Sequence, residues 1–345
     1  MDTSEPVTPP IPLTILTGFL GAGKTTLLNR ILHGSPGQRI AVLVNDFGSI
    51  NIDSQLVVGV AEDAVSLTNG CICCTIRDDL LTTALSIVQQ PDPPERLVIE
   101  ASGISDPWAV AETFLLPEIR SHTRLDTIIA VVDAEQVYQE FALKPAYSAL
   151  IVNQVAVADM VILNKNDLVD VATRVALHEW VRRIVPNARI LEAVHADVPL
   201  ELLLGSDAVL HQHHHDHDHA HHHDHDHGTQ FQTWSYAATR PFARNAVRDL
   251  LKTLPTGIFR AKGVLWIAET PERRALLHLV GSRVQLTFGE PWGDTPPQSQ
   301  LIGIGLPEAV NPDDLTQRLD ACLVDAVPGE RTAEPLNFLR SVQEA

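Results

Sequence analysis

The sequence predicts an α/β fold: a parallel P-loop sheet with helices on both faces, followed by a smaller α+β unit. Three observations predict it. The apolar run 11–17 leads straight into Gly18-Phe19-Leu20-Gly21-Ala22-Gly23-Lys24-Thr25. Further buried-strand patterns at 97–100, 128–132 and 159–163 each close on a polar or acidic residue. Helical patterns separate these runs, which is the alternation of parallel strands with crossover helices. Such a sheet is expected over residues 11–204, and its ligands gather beyond the carboxyl ends of the strands, where every motif below falls.

Residues 1–10 are polar, acidic and Pro-rich, without the basic start of a signal peptide, and read as a disordered lead-in. The 11–17 strand and the loop after it form a Walker A arrangement. Gly18, Gly21, Ala22 and Gly23 let backbone N–H groups converge on phosphates, Lys24 reaches the terminal phosphates, and Thr25, followed by Thr26, offers a hydroxyl to magnesium. A helix over 24–32 follows, with Gly34 as its cap. The competing reading is a glycine turn without ligand, which the strand before it and the helix after it argue against.

Leu97-Val98-Ile99-Glu100 reads as a central strand whose Glu100 stands where a Walker B carboxylate would hold magnesium or its water. An ordinary strand-end carboxylate is the alternative, since the residue is Glu rather than Asp. Gly103 could give its N–H to a γ-phosphate, and Asp133, after the next strand, reads as structural. The 159–163 strand ends in Asn164-Lys165-Asn166-Asp167, an Asn-Lys-x-Asp arrangement. Its Asp167 carboxylate can accept from both guanine donors, a pair adenine lacks, so GTP and GDP are the expected nucleotides, read by Asn164, Lys165 and Asp167. Lys24, Thr25 and Glu100 are the catalytic candidates, and no water-orienting group stands out.

Between these motifs lies Asn69-Gly70-Cys71-Ile72-Cys73-Cys74-Thr75. Three thiols within four residues, Cys71, Cys73 and Cys74, can meet at one soft cation such as zinc or cuprous copper. Inert or redox-active thiols and a local disulfide are the alternatives. With four cysteines in 345 residues and no secretory start, a reducing, cytoplasmic compartment is expected. The fourth, Cys322, falls in an amphipathic helical pattern and reads as a buried small hydrophobe.

Residues 205–229 form a linker. Its segment 211–227 holds eleven histidines and four aspartates in seventeen residues, with Ala220 as its one apolar residue, so disorder is expected. His213, His214, His215, His217, His219, His221, His222, His223, His225 and His227 suit weak, exchangeable binding of zinc, nickel, cobalt or copper, for which metal acquisition is favoured over storage. The tract is internal and interleaved with Asp216, Asp218, Asp224 and Asp226, unlike a purification tag. Isolated His33 and His178 read as solvent-facing helix residues. Residues 230–325 make the smaller unit: strands at 230–236, 263–268, 276–280, 284–288 and 301–304, and helices at 244–254 and 313–323. Residues 326–345 are expected to be a loosely attached tail.

The net charge of −18 repels nucleic-acid phosphates and membrane surfaces but tolerates cationic metals. No apolar run approaches the roughly 20 residues that span a bilayer.

Residues 18–28 (GFLGAGKTTLL), 69–75 (NGCICCT), the Glu100-Ala101-Ser102-Gly103 box and 164–167 resemble the CobW family of GTP-dependent metallochaperones, as do 260–266 and 291–294 in the second unit. The resemblance implies GTP hydrolysis, expected to be slow because no water-orienting group stands out, a zinc or cobalt cargo at Cys71, Cys73 and Cys74, and transfer to an apo-metalloprotein client. A metal buffer with structural nucleotide, or a GTP-driven activator of one metalloenzyme, are the alternatives. Some relatives carry metal-binding carboxylates beside the switch segment; here Val44 and Ser49 stand in those places and only Asp46 is near. The resemblance also offers His122 as an extra ligand.

Overall fold

The computed structural model describes residues 10–35, 37–45, 64–67, 73–140, 145–204 and 231–325. Two compact units divide the chain near Phe231. In chain order the first contains β1 (Ile11–Thr17), α1 (Lys24–His33), β2 (Ile40–Asn45), β3 (Ala64–Leu67), α2 (Cys73–Val88), β4 (Arg96–Glu100) and α3 (Pro107–Thr113). It continues through β5 (Thr123–Asp133), α4 (Ala134–Glu140), α5 (Pro145–Ala156), β6 (Met160–Asn164), a 3₁₀ turn (Asn166–Leu168), α6 (Val171–Ile184), β7 (Arg189–Glu192) and α7 (Leu200–Leu204).

The strands form one sheet of order β3-β2-β4-β1-β5-β6-β7, and every pairing is parallel. β1 is central because both of its faces are covered. Leu13 and Ile15 pack with Leu97 and Ile99 under Leu80 and Ala84 of α2 and Val110 and Ala111 of α3. Successive side chains of a strand point to opposite faces, so Thr14 and Leu16, both fully buried, serve the other side, and α1 lies against β1 and β4. Toward β6, Ala130, Val132, Val161 and Leu163 are covered by Ile151 and Val155 of α5 and by Leu177 and Val181 of α6.

β5 begins at Thr123, five residues before the expected run at 128. Its opening is polar and so lacks the apolar signature of a buried strand. The polarity is compensated in the fold: buried Asp126 pairs with Arg96 at 3.3 Å and with Arg124 at 3.2 Å. A register shift against β1 between Leu13 and Thr14 accommodates the extra length.

The second unit contains β8 (Gln232–Ala238), α8 (Arg244–Lys252), β9 (Ile258–Trp266), β10 (Arg273–Val280), β11 (Arg283–Pro291), β12 (Ser299–Gly305) and α9 (Pro312–Asp320). Its sheet has the order β11-β10-β9-β12-β8, with β12 antiparallel to both β8 and β9. Trp234, Tyr236, Leu265, Leu277 and Leu301 form one side of its core; Val247 and Leu251 of α8 and Leu315 and Leu319 of α9 close it. β9 starts at Ile258 rather than 263, because Arg260 and Lys262 interrupt the apolar pattern on its second face. Among the described residues no helix is long and apolar enough to cross a membrane.

Candidate functional site

The phosphate loop is built at the end of β1. Gly18, Gly21 and Gly23 take φ of 138°, 76° and 107°, and Gly23 immediately precedes α1. A Cβ at Gly23 would lie 2.4 Å from Asn164 Nδ2, so glycine is required there for space as well as for backbone conformation. Lys24 is buried and its Nζ donates to the Phe19 carbonyl oxygen at 3.3 Å, folded back over the loop. Thr25 Oγ1 donates to Glu100 Oε1 at 2.8 Å. This joins the start of α1 to the end of β4, while Ala101 N–H bonds Leu16 O at 2.8 Å between the two strands. A hydroxyl beside a buried carboxylate is a pair of hard oxygen donors, the chemistry that suits magnesium. Gly103 also lies at this end: a Cβ on it would come within 2.7 Å of Leu20 N, and its carbonyl accepts from Gln154 Nε2 at 3.0 Å.

At the base end, Asn164 is 2 % exposed and uses both ends of its amide. Nδ2 donates to Ala22 O at 2.9 Å in the phosphate loop, and Oδ1 accepts from Ala196 N–H at 2.8 Å. It therefore braces two loops. Lys165, at φ 61°, pairs with Asp133 at 2.6 Å, and Asp133 also accepts from the backbone N–H groups of Glu135 and Gln136 at the start of α4. Asp167 is exposed on the 3₁₀ turn that follows β6.

Sequence reasoning missed the loop after β7, residues 193–197. Its Ala193 N–H bonds Leu163 O at 2.8 Å and its Ala193 O accepts from Asn166 N–H at 3.2 Å, which sets it beside Asp167. His195 and Ala196 both have positive φ, 53° and 55°. Left-handed backbone costs a non-glycine residue about 1–2 kcal/mol, and a segment with no Gly or Asn carries no local sign of it. The one signal in the sequence is position, since the loop leaves the carboxyl end of a parallel strand.

For the metal-ligand candidates, Cys71 lies outside the described residues. Cys73 and Cys74 open α2, with their side chains outside what is described. Asp46, Ser49 in the place of a relative's carboxylate, the tract from His211 through His213, His214, His215, His217, His219, His221, His222, His223 and His225 to His227, and the expected lead-in and tail also lie outside. Val44 is a buried core residue of β2. Cys322 is buried with its Sγ 3.4 Å from Arg318 O, and burial pushes its thiol pKa up, which keeps it a protonated hydrophobe. His122 is a correction. Its carbonyl accepts from Ile11 N–H at 2.8 Å at the amino end of β1, the opposite edge of the sheet from Gly18. A β-strand rises about 3.3 Å per residue, so the length of β1 separates His122 from any site at the carboxyl edge. His33 and His178 bond locally, to Asn29 O and Glu192. Among the described residues no group of three His, Cys, Asp or Glu is placed to hold a metal ion.

Residues 12–192 match the family described as CobW/HypB/UreG, nucleotide-binding domain, and residues 231–323 match the cobalamin synthesis protein CobW C-terminal domain. The chain is 33% identical over 314 residues to the zinc chaperone YjiA of Escherichia coli strain K12, covering 87% of this chain and 96% of that protein. It is 32% identical over 321 residues to zinc-regulated GTPase metalloprotein activator 1 of Dictyostelium discoideum, covering 81% of this chain and 67% of that one. Among solved structures, Zn(II)-bound YjiA GTPase from E. coli aligns with 91% of this chain and 99% of its own at 26% identity and a TM-score of 0.44. With a nucleotide-binding match over more than half its length, a CobW C-terminal domain behind it and the E. coli relative YjiA matched over 96% of its own length, the chain belongs to the CobW family.

Proposed function

We propose that this GTPase of the CobW family loads zinc at a thiolate site made by Cys71, Cys73 and Cys74, and passes it to an apo-metalloprotein client under the control of its nucleotide. Zinc is favoured over cobalt as the cargo because the relatives are named zinc chaperones. A metalloprotein client accords with the name of the Dictyostelium relative.

One observation carries the reading. β3, β2, β4 and β1 are parallel neighbours, so the chain leaving β3 at Leu67 toward Cys73 departs from the same edge as Gly18–Gly23 and Glu100. With strands roughly 4.8 Å apart, β3 lies about 14 Å from β1 across the sheet. β2 and β4 stand between β3 and β1. Coupling therefore has to pass through segments between them, and the segment that follows β2 is the switch candidate at 45–58. A γ-phosphate and its counter-ion order such segments, and hydrolysis releases them. Magnesium would be held by Thr25 and Glu100 and would neutralise charge on the phosphates. In this reading Lys24 turns from Phe19 O toward a terminal phosphate, and Asp167 accepts from guanine.

The test is an anaerobic zinc titration of protein lacking residues 211–227, with a non-hydrolysable GTP analogue and with GDP. Zinc should bind at least about tenfold tighter with the analogue, a coupling of about 1.4 kcal/mol, and zinc should tighten the analogue equally. Equal affinities in both states would refute loading and release and leave a buffering protein with structural nucleotide.

A further inference from the structure

We propose that Arg30 is a positioning residue for the nucleotide base, holding the loop after β7 in the conformation that completes the base end of the site. The guanidinium meets that loop at two points. Its Nε donates to the His195 carbonyl oxygen at 2.9 Å, and Nη1 pairs with Asp197 Oδ1 at 2.6 Å. Between these acceptors stands Ala196, and both His195 and Ala196 hold positive φ without being glycine. That conformation persists in L residues where surrounding contacts over-determine it. A planar guanidinium gripping a backbone carbonyl and a carboxylate on either side of Ala196 is such a contact.

The loop that Arg30 grips is tied to the phosphate loop by a second route. Ala196 N–H bonds Asn164 Oδ1, and Asn164 Nδ2 bonds Ala22 O. Arg30 itself belongs to α1, the helix that opens at Lys24. The contacts close a ring: phosphate loop, Asn164, Ala196, Arg30, and back along α1 to the phosphate loop. Six residues of helix put Arg30 about 9 Å along the axis from Lys24. Its own contacts are with the base-side loop, and another residue of that loop, Ala193, accepts from the N–H of Asn166, the chain neighbour of Asp167. Arg30 thus acts on the base through the loop. This rests on the guanine-nucleotide reading above.

The test uses the full-length protein and isothermal titration with GDP, ADP and inorganic tripolyphosphate. Arg30 is two-fifths exposed, so its removal leaves the core intact. Arg30→Ala should weaken GDP about tenfold through lost pre-organisation while tripolyphosphate changes less than about twofold, and Arg30→Lys should recover part of the loss. Glycine adopts left-handed backbone unaided, so in a His195→Gly background the Arg30→Ala penalty on GDP should shrink to about threefold or less. Unchanged GDP affinity in Arg30→Ala overturns the proposal. Equal losses for GDP and tripolyphosphate also overturn it, by reducing Arg30 to a support of α1. A penalty that His195→Gly leaves undiminished removes the strain-holding role. Wild-type protein that binds ADP as well as GDP would overturn the base reading first, and the clasp with it.

Discussion

Replacing Asn164 by Ala should loosen the nucleotide site before any nucleotide is bound, because this side chain is a tie between loops. The substitution deletes two hydrogen bonds, to Ala22 O at 2.9 Å and from Ala196 N–H at 2.8 Å. Ala22 and Ala196 are fully buried as residues, so their backbone groups would lose a partner in a place water reaches poorly. An orphaned buried group costs about 1–3 kcal/mol, and partial relaxation of the loops brings the expected destabilisation of the first unit to about 2–4 kcal/mol. Urea unfolding followed by tryptophan fluorescence measures it, read on the transition reported by Trp108 and Trp180 in the first unit. Binding of a fluorescent GDP should weaken at least about tenfold in the same variant, since the loops must be re-ordered on binding. Asn164→Asp sharpens the test: it keeps an acceptor for Ala196 N–H but sets a carboxylate oxygen against the Ala22 carbonyl, so it should be no more stable than the Ala variant. Either variant unfolding within about 0.5 kcal/mol of wild type with GDP affinity intact would refute the bracing argument.

Asp167→Asn exchanges an acceptor oxygen for a donor amide; GTP affinity should fall by about two orders of magnitude while xanthosine triphosphate binding improves, and unchanged GTP binding would remove the guanine assignment. Cys73→Ser combined with Cys74→Ser should abolish the tightest zinc site, whereas deletion of 211–227 should lower only the number of weakly bound ions, both read by competition with a chromophoric chelator. Thr25→Ala removes the hydroxyl beside Glu100 and should raise the magnesium concentration needed for GTP hydrolysis, seen in a phosphate-release assay. In the second unit Tyr236 donates to Asp320 at 2.7 Å, and burial first, then that bond, raises its phenol pKa above the ordinary 10.0. A raised folded pKa means stability is complete below pH 10.0 and is lost as pH climbs beyond it, so alkaline unfolding of this unit should lose part of its pH dependence in Tyr236→Phe, at a cost of about 1 kcal/mol at neutral pH.

The sequence by itself determined what short covalent spacing controls. A strand, a run of glycines and a helix adjacent in the chain can form little other than a phosphate loop, and residues 11–33 do so with Gly18, Gly21 and Gly23 at positive φ. The parallel sheet followed from alternation of apolar strands with helices, since each buried strand needs cover on both faces. Elements whose polarity is compensated at long range were legible only in part: β5 hides its first residues behind Asp126, which needs Arg96, thirty residues away, to be buried. Three outcomes belonged to the tertiary structure alone. His122 went to the amino edge of the sheet, because the strand it precedes runs parallel to β1 and away from that edge. Asn164, expected to read guanine, spends its amide on Ala22, 142 residues away, and on Ala196. The 193–197 loop took a left-handed turn with no glycine because Arg30, 165 residues from His195, grips it. The reason is common to all three. Local propensity acts over a few residues, whereas the partner that satisfies a buried amide, pairs a buried charge or holds a strained backbone is chosen by how the sheet brings distant strand ends together.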